Sequence, residues 1–291
     1  MSNTFDFVLK NIVKTYRKKR VLDLSEMTFK SGQFVALMGK NGSGKSTLMR
    51  LLAQHEPFDS GEILFGLKSL ASTSVELNPQ LVFISEDQVL PYPVGLSYWV
   101  TIHKKLYPQF DDAIFQRLTR QFEIDTKQSF HSMSRGQKMK ALFCLQAPKR
   151  PNIYLLDEIT AVLDASSRWT LIQFLSEEAL RGCVVIMSTN IASEMQGFAT
   201  DVVFLEKGKL IFSSNSKSLH AHFQKVRVTK DKILLLTPDL AAKFIGANSD
   251  NTWTYMFLKA NGNAPAGVEN DARGITISEV QSYFTAIEDA V

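Results

Sequence analysis

Long apolar runs are missing from this sequence. No stretch reaches the roughly 18–20 uninterrupted apolar residues that a membrane-spanning helix requires. The N-terminal segment MSNTFDFVLKNIVKTY lacks an apolar core preceded by positive charge, which excludes a secretory signal at this position. We therefore expect a cytoplasmic protein that works at a membrane only through a partner.

Cysteine and net charge are also scarce. The 291 residues include two cysteines, Cys144 and Cys183, and both lie in apolar runs, which predicts buried reduced thiols instead of a disulfide. The net charge of +4 is too small to indicate nucleic acid or an anionic membrane by itself. The 45% hydrophobic and 21% charged residues are typical of a globular protein with a real core.

Short strands alternate with helices along most of the chain. The N-terminal region, residues 5–38, is predicted to form strands, and a helix is predicted from Ser46 to Gln54. Helical spacing then dominates from about residue 91 to residue 148, with Asp111 and Ser134 as N-caps. Strand and helix patterns alternate again after this insert. The alternation predicts an α/β fold with a mostly parallel sheet covered on both faces.

The last part of the chain has a different pattern. The segment VVFLEKGKLIFS predicts a hairpin that turns at Lys207-Gly208, and a polar cluster follows at residues 213–218. Beyond it we predict a small α/β unit with a strand over 226–236, a helix over 238–246, a strand over 251–260, a loop over 261–274 and a helix over 277–290.

One glycine-rich segment fits the phosphate-binding pattern G-x-x-x-x-G-K-[ST], between a predicted strand and a predicted helix. Its loop consists of Gly39, Lys40, Asn41, Gly42, Ser43 and Gly44. Backbone N–H groups would wrap the phosphates, and the helix N-terminus adds partial positive charge. Lys45 would reach the β- and γ-phosphates, Ser46 would ligate Mg²⁺ and Thr47 would reach the α-phosphate. The alternative is a chance glycine-rich turn.

A second segment, IYLLDE, is a predicted strand that ends in two acids. Asp157 would hold the Mg²⁺ shell. Glu158 would orient and deprotonate the attacking water as the general base. The alternative is an acidic strand end that caps the next helix.

The third segment, Met133-Ser134-Arg135-Gly136-Gln137, resembles the LSGGQ signature of the ATP-binding cassette (ABC) ATPases. The resemblance implies a P-loop NTPase core with a mixed sheet and a helical subdomain, extending over about residues 5–213. In that family the signature serine, glycine and helix N-terminus bind the γ-phosphate of ATP held by the opposite subunit. Ser134, Gly136 and Gln137 would then contact the nucleotide, although Arg135 stands where the family has glycine.

Two further positions follow from the resemblance. Tyr16 lies where the family has an aromatic side chain that stacks on adenine; alternatively it is a surface tyrosine beside the basic run Arg17–Arg20, itself most simply a solvated turn. Asp164, in the segment AVLD, resembles the D-loop aspartate that contacts the opposite subunit near its P-loop.

Two positions depart from the family pattern. Glu86 falls where the family has its Q-loop glutamine, with Gln88 two residues on as the other candidate for that role. A glutamate there could still bind Mg²⁺ or water at the catalytic site, but its charge would repel the γ-phosphate. Asn190 replaces the switch histidine; it can donate an amide hydrogen bond but cannot carry charge or shuttle a proton. Because Glu158 is present, the resemblance predicts slow hydrolysis and not a dead site.

The resemblance implies an ATP-binding and ATP-hydrolysing subunit of a membrane transporter. Two such subunits, as a homodimer or a heterodimer, would sandwich ATP and Mg²⁺ and drive a separate integral membrane permease, giving a peripheral location at the inner face of the cell membrane. The separate subunit and its C-terminal addition loosely resemble exporters with an ABC-2 type permease. The alternatives are a soluble ABC ATPase acting on nucleic acid or ribosomes, for which the chain lacks a second cassette or a coiled coil, and an ATP-sensing regulatory subunit.

The division of the chain follows from these segments. An ATPase domain is predicted at residues 1–213, with its helical subdomain at about 91–148, and a small accessory domain at residues 219–291. An apolar cluster from Pro91 to Trp99 would form the docking groove for the permease, or else would pack inside the helical insert.

Overall fold

The computed structural model describes residues 5–66, 68–70, 80–88, 90–236 and 240–285. The strands are β1 (Phe7–Tyr16), β2 (Lys19–Phe29), β3 (Phe34–Met38), β4 (Ser60–Phe65), β5 (Lys68–Leu70), β6 (Leu81–Ser85), β7 (Ile153–Asp157), β8 (Val184–Ser188), β9 (Asp201–Glu206), β10 (Lys209–Asn215), β11 (Phe223–Val228), β12 (Lys243–Ala247), β13 (Trp253–Leu258) and β14 (Glu269–Asn270). The α-helices are α1 (Lys45–Leu52), α2 (Leu96–Leu106), α3 (Asp112–Gln121), α4 (Arg135–Gln146), α5 (Ala165–Leu180), α6 (Leu219–His222) and α7 (Ile277–Thr285). Short 3-10 helices cover Phe130–Ser132, Ala147–Lys149, Ile159–Val162, Ala192–Met195, Ser216–Ser218, Lys230–Leu235 and Lys259–Asn261.

The central sheet has the strand order β10-β9-β3-β8-β7-β6 within the described residues. Its neighbours from β9 to β6 pair in parallel, and β10 pairs antiparallel with β9. Every residue of β3, β7 and β8 is buried, which explains why these strands are nearly continuous apolar runs. Parallel pairing brings the carboxyl ends of β3, β6, β7 and β8 to one edge of the sheet, where ligands bind in open α/β folds.

Both faces of this sheet are covered. The antiparallel sheet β2-β1-β4-β5 and helix α1 share a hydrophobic cluster with alternate residues of β3, such as Val35 and Leu37. The opposite residues of the same strand, Ala36 and Met38, belong to a second cluster with α4 and α5. The predicted α/β fold with a mixed sheet is confirmed.

The predicted helical insert consists of α2, α3 and α4, between β6 and β7. Both predicted N-caps are confirmed: Asp111 Oδ1 accepts hydrogen bonds from the backbone N–H groups of Ala113 and Ile114, and Ser134 caps α4. The predicted hairpin is confirmed too, since Lys207 and Gly208 both have positive φ, at 48° and 78°. Such a two-residue turn matches the twist of the flanking strands.

The predicted secondary structure of the C-terminal unit is partly wrong. The strand predicted over 226–236 ends at Val228, and a 3-10 helix follows at Lys230–Leu235. Leu234 in this helix is 91% exposed, so its side chain is not part of a buried core. The helix predicted over 238–246 is wrong, because Lys243–Ala247 form strand β12. Pairing with β13 overrides the weak helix preference of this segment. Residues 237–239 lie outside the described residues.

The C-terminal unit shares its core with the preceding region. Strands β12-β13-β11-β14 form an antiparallel sheet, and Phe223, Val280 and Tyr283 belong to the same buried cluster as Phe204 of the central sheet. The division into domains at residues 213 and 219 stays a prediction. The predicted helix over 277–290 corresponds to α7, and residues 286–291 lie outside the described part.

Two expectations about composition can be compared with the fold. Cys144 and Cys183 are buried and free, as predicted. Among the described residues, no helix combines the length and the hydropathy that a bilayer crossing requires.

Candidate functional site

The phosphate loop joins β3 to α1 at the carboxyl edge of the central sheet. Gly39, Gly42 and Gly44 all have positive φ, at 148°, 79° and 106°, a region that side-chain-bearing residues rarely adopt. A Cβ atom on Gly39 would lie 2.3 Å from the carbonyl oxygen of Leu205. The glycines therefore let the loop curl tightly over the end of α1, with Asn41 and Gly42 exposed at its tip.

Lys45 lies inside this loop and is only 3% exposed. Its Nζ donates hydrogen bonds to the carbonyl oxygens of Gly39 at 2.8 Å and Lys40 at 3.3 Å, and it lies 3.6 Å from Glu158 Oε1. Burial lowers the pKa of Lys45, and the charges of Glu158 and Asp157 oppose that change. A buried ammonium surrounded by oxygen atoms is well suited to exchange these partners for phosphate oxygens.

The two acids at the end of β7 are held by a serine of the neighbouring strand. The register of β7 with β8 pairs Asp157 with Ser188, which is fully buried. Ser188 Oγ donates a hydrogen bond to Asp157 Oδ1 at 2.6 Å and accepts one from the backbone N–H of Glu158 at 3.0 Å. One hydroxyl therefore fixes the Asp157 carboxylate and the backbone that carries Glu158.

The backbone of Glu158 leaves the extended conformation directly after β7. Glu158 has φ 53°, in the left-handed region, and its side chain is 38% exposed. Glu158 Oε1 accepts a hydrogen bond from Asn190 Nδ2 at 3.4 Å. Lys45, Asp157, Glu158 and Asn190 thus meet at one place, where a carboxylate faces a cation and a neutral amide.

A magnesium ion fits the donors at this place. Ser46 is half-buried in the first turn of α1, and the Asp157 carboxylate lies at the end of β7. Mg²⁺ prefers oxygen ligands and usually takes one or two carboxylates together with waters and substrate phosphates. Among the described residues, no group of three or more His, Cys, Asp and Glu side chains could hold a metal.

Tyr16 lies at the end of β1 and contacts the C-terminal side of α1. Its hydroxyl bonds to Glu56, which also forms an ion pair with Arg50 at 2.7 Å. Lys14 Nζ lies 5.1 Å from the centre of the ring. Partial burial raises the pKa of Tyr16, and the hydrogen bond to Glu56 raises it further. The ring is thus fixed and 37% exposed, which leaves surface for stacking.

The segment around Ser134 forms a second group of site residues. Ser134 is exposed at the N-terminus of α4, and its Oγ accepts a hydrogen bond from the backbone N–H of Gln137 at 3.3 Å. Gln137 Oε1 accepts one from the backbone N–H of Ser134 at 2.9 Å, which completes a capping box. A capped, exposed helix N-terminus attracts anions from outside the chain.

Gly136 and Asp164 connect α4 to the start of α5. A Cβ atom on Gly136 would lie 2.7 Å from the carbonyl oxygen of Val162, so α4 can approach that segment only with glycine there. Asp164 caps α5 by accepting a hydrogen bond from the Ser167 backbone N–H, and it pairs with Lys140 of α4 at 3.2 Å. These hydrogen bonds and the lysine lower the pKa of Asp164.

Comparison with known proteins identifies the family. The family model for ABC transporters matches residues 22–161. The aliphatic sulfonates import ATP-binding protein SsuB of Escherichia coli O6:K15:H31 is 31% identical over 207 residues, which cover 70% of this chain and 78% of that protein. The chain belongs to the ABC transporter family of ATP-binding subunits. It is an ABC ATPase, as the sequence resemblance implied.

Other relatives agree with this assignment. The ABC transporter ATP-binding protein YtrB of Bacillus subtilis strain 168 is 27% identical over 225 residues, covering 77% of this chain and 76% of that protein. The solved structure of an ATP-binding subunit of an ABC transporter superposes with a TM-score of 0.66 at 23% identity, covering 74% of this chain and 92% of that one. A dimeric ATP-binding cassette bound to ADP and Pi gives a TM-score of 0.61 at 20% identity, covering 72% and 98%. These structures show that the fold is the ABC cassette fold.

Glu86, one of the two departures from the family pattern, contacts the signature segment of this ABC ATPase. Glu86 follows β6 and forms an ion pair with Arg135, so the two residues that differ from the family pattern on these segments contact each other. Gln88 Nε2 donates a hydrogen bond back to the carbonyl oxygen of Phe83 at 2.9 Å, and its Oε1 has no hydrogen-bond partner in the described part of the chain. In this arrangement Glu86 bridges β6 to α4, and its carboxylate is engaged by Arg135.

Three contacts of the ABC ATPase were missed by the sequence analysis. Ser188 bridges Asp157 and Glu158, Arg135 pairs with Glu86, and Gln281 of α7 bonds to the backbone of Asn190. All three join residues that lie far apart in the chain. Of these three contacts, only that of Ser188 has a sequence signal, which is a serine at the end of an apolar strand.

Proposed function

We propose that two copies of this subunit, or one copy and a paralogue, hold ATP between them and drive a separate membrane permease. Each nucleotide would be bound by Lys45, Ser46 and Thr47 of one subunit and by the Ser134 segment of the other. The observation that carries the proposal is the exposed, capped N-terminus of α4. In this proposal a second subunit completes the γ-phosphate site.

Within each site the residues have distinct roles in this proposal. The Tyr16 ring stacks on adenine, Asp157 and Ser46 hold Mg²⁺, and Glu158 orients and deprotonates the water. A bound Mg²⁺ would neutralise phosphate charge during transfer. Asn190 donates a neutral hydrogen bond to the γ-phosphate in place of a histidine, so hydrolysis is slow.

The proposal also includes a docking surface for the permease. Tyr92 and Tyr98 are 61% and 51% exposed beside α2, whereas Leu96 and Trp99 of the same predicted cluster are buried. The exposed tyrosines form the docking surface for the permease, and the buried pair packs in the core. An exporter with an ABC-2 type permease is one candidate, because the C-terminal addition loosely resembles that of such subunits. The name of SsuB, an import subunit, favours the opposite direction. Co-purification from membranes with mass spectrometry identifies the permease and decides between them.

The sandwich is tested by a variant that binds ATP but cannot hydrolyse it. Glu158→Gln removes the general base, so with ATP and Mg²⁺ we expect a dimer by size exclusion with light scattering, and a monomer with ADP. Adding Ser134→Glu places a carboxylate against the γ-phosphate and is expected to abolish the dimer. Ser213→Glu, at an exposed position of β10, is the matched control and keeps the dimer. A monomer with ATP, or a dimer that tolerates Ser134→Glu, would contradict the proposal.

A second candidate function is favoured by one observation. Glu86 is paired with Arg135, so its carboxylate does not depend on a nucleotide for a charge partner. With Asn190 in the switch position, the subunit would then bind ATP to sense it and would not hydrolyse it in each cycle. ATP-dependent dimerisation of the unmodified chain that persists for hours, with no phosphate release, would support this candidate.

A further inference from the structure

The C-terminal helix α7 contacts the segment that carries Asn190. Gln281 Nε2 donates a hydrogen bond to the backbone oxygen of Asn190 at 3.1 Å. Gln281 Oε1 accepts one from the backbone N–H of Ala192 at 3.3 Å. A single side-chain amide therefore spans Ile191 and fixes the backbone on both sides of it.

Helix α7 is itself held firmly against this segment. Ile277, Val280 and Tyr283 are at most 3% exposed and belong to the same core as Ala192 and Met195. The backbone N–H of Ile277 donates to Gln196 Oε1 at 2.8 Å. The helix thus packs along the 3-10 helix Ala192–Met195, which directly follows residues 189–191 (the switch segment).

The other side of α7 is anchored to the C-terminal sheet. Glu279 pairs with Lys225 of β11 at 2.9 Å, and that lysine is only 4% exposed. Glu279 Oε2 also accepts a hydrogen bond from the backbone N–H of Thr276 at 2.8 Å, at the start of the helix. Gln281 is therefore presented from a rigid element, as a residue that must hold another in place needs to be.

The Asn190 side chain depends on this backbone for its position. Asn190 Nδ2 lies 3.4 Å from Glu158 Oε1, a long hydrogen bond that a small shift of residue 190 would break. Within the switch segment, the backbone N–H of Ile191 bonds to Thr189 Oγ1 at 2.9 Å, which is a local contact and does not tie the segment to another element. The backbone N–H of Thr189 bonds to the carbonyl oxygen of Leu37 in β3 at 3.4 Å, and Gln281 supplies a second tie, at residue 190 itself, from a distant element.

We infer that Gln281 is a positioning residue for ATP hydrolysis, which sets the placement of the Asn190 amide and makes the C-terminal unit part of the catalytic device. The inference rests on the proposed role of Asn190 at the γ-phosphate. The C-terminal unit would then influence ATP hydrolysis, because any partner that moves α7 would shift Gln281 and so change the hydrolysis rate.

The test separates positioning from stability. Gln281→Met keeps the side-chain length and removes both hydrogen bonds, so we expect kcat for ATP hydrolysis to fall about tenfold, since small misplacements of reacting groups cost rate. KM for ATP and the midpoint of thermal unfolding should change little. Gln224→Met is the matched control, because Gln224 bonds to Asn270 in the same C-terminal unit and, in the part of the chain that the structure describes, makes no hydrogen bond to the switch segment. An unchanged kcat, or a kcat loss that follows a loss of stability, would overturn the inference.

A second comparison tests whether Gln281 acts through Asn190. In an Asn190→Ala background, Gln281→Met should have no further effect on kcat. If Asn190→Ala lowers kcat but Gln281→Met lowers it equally in both backgrounds, the positioning role is wrong while the role of Asn190 stands. If Asn190→Ala leaves kcat unchanged, the role of Asn190 fails, and the positioning role fails with it.

Discussion

At the scale of single residues, the hydrolytic centre is a small set of charges held by neutral hydrogen bonds. The Lys45 ammonium faces Glu158, and the Ser188 hydroxyl holds Asp157. In the proposed mechanism Asn190 adds a donor but no charge, so it would stabilise a developing negative charge less than a protonated imidazole would. If Asn190 has this proposed role, a substitution at this position should change the rate of hydrolysis.

Asn190→His is expected to raise kcat. An imidazole at this position can carry a positive charge and move a proton, and losing a charge-stabilising group of this kind typically costs on the order of 10²–10³ in rate. We expect a gain of at least about tenfold in steady-state phosphate release by the purified subunit with its permease. Asn190→Ala is the control and should lower the rate instead. Ordinary transporter rates in the unmodified chain, with no gain in Asn190→His, would contradict the prediction.

At the scale of elements, α2 and α4 are joined by a half-buried histidine. His103 Nδ1 bonds to the carbonyl oxygen of Leu145 at 3.2 Å, and the ring lies 5.5 Å from that of Tyr107. Burial lowers the pKa of His103 to about 4, and the charge of Lys149 also lowers it, while the Leu145 carbonyl opposes the change. His103 is therefore neutral in the folded protein near pH 7.

The free energy of unfolding should depend on pH in the range between the unfolded and folded pKa values of His103. The unfolded chain binds a proton at His103 near pH 6.5, whereas the folded chain does so only near pH 4. Because the unfolded state binds more protons between these values, the free energy of unfolding should fall as the pH drops from 6.5 to 4. His103→Gln should make the fall shallower in urea unfolding curves, and His131→Gln, at an exposed position, should not. Parallel pH profiles for the two variants would rule out this role of His103.

At the scale of the whole molecule, the C-terminal unit is joined to the ATPase core by aromatic side chains. Within the C-terminal unit, Tyr283 is 3% exposed and lies 5.3 Å from Phe223, and the Phe223 ring in turn lies 5.1 Å from that of Phe212 in β10. Phe284 packs against Phe204 of the central sheet at 4.8 Å. The two regions therefore share buried apolar surface and should unfold together.

Tyr283→Ala tests this joint core. Removing a large buried ring is expected to lower the free energy of unfolding by about 3–5 kcal/mol, since a cavity replaces lost contacts. Tyr98→Ala, which removes a ring that is 51% exposed, should cost less than about 1 kcal/mol. Urea unfolding followed by tryptophan fluorescence and circular dichroism should give one transition in the unmodified chain. Two separate transitions in the unmodified chain would contradict a shared core, and a small loss in Tyr283→Ala would contradict the contribution of its ring.

The prediction of elements from sequence succeeded where local signals were strong. The buried strands β3, β7 and β8 are apolar runs next to glycine or acidic residues, and the caps Asp111 and Ser134 act within one helical turn. It failed at β12, because only pairing with β13 makes that segment a strand. The C-terminal sheet depends on nonlocal contacts that propensity does not contain.

The amino-acid sequence by itself determined the phosphate loop, the acidic strand and the capped helix of the ABC ATPase, because their chemistry lies within short segments. Only the tertiary structure decided what these segments contact. Ser188 meets Asp157 through strand register, Arg135 meets Glu86 across two elements, and Gln281 meets Asn190 across 91 residues. Such contacts arise from packing, which depends on the whole chain and not on the spacing of residues within a motif.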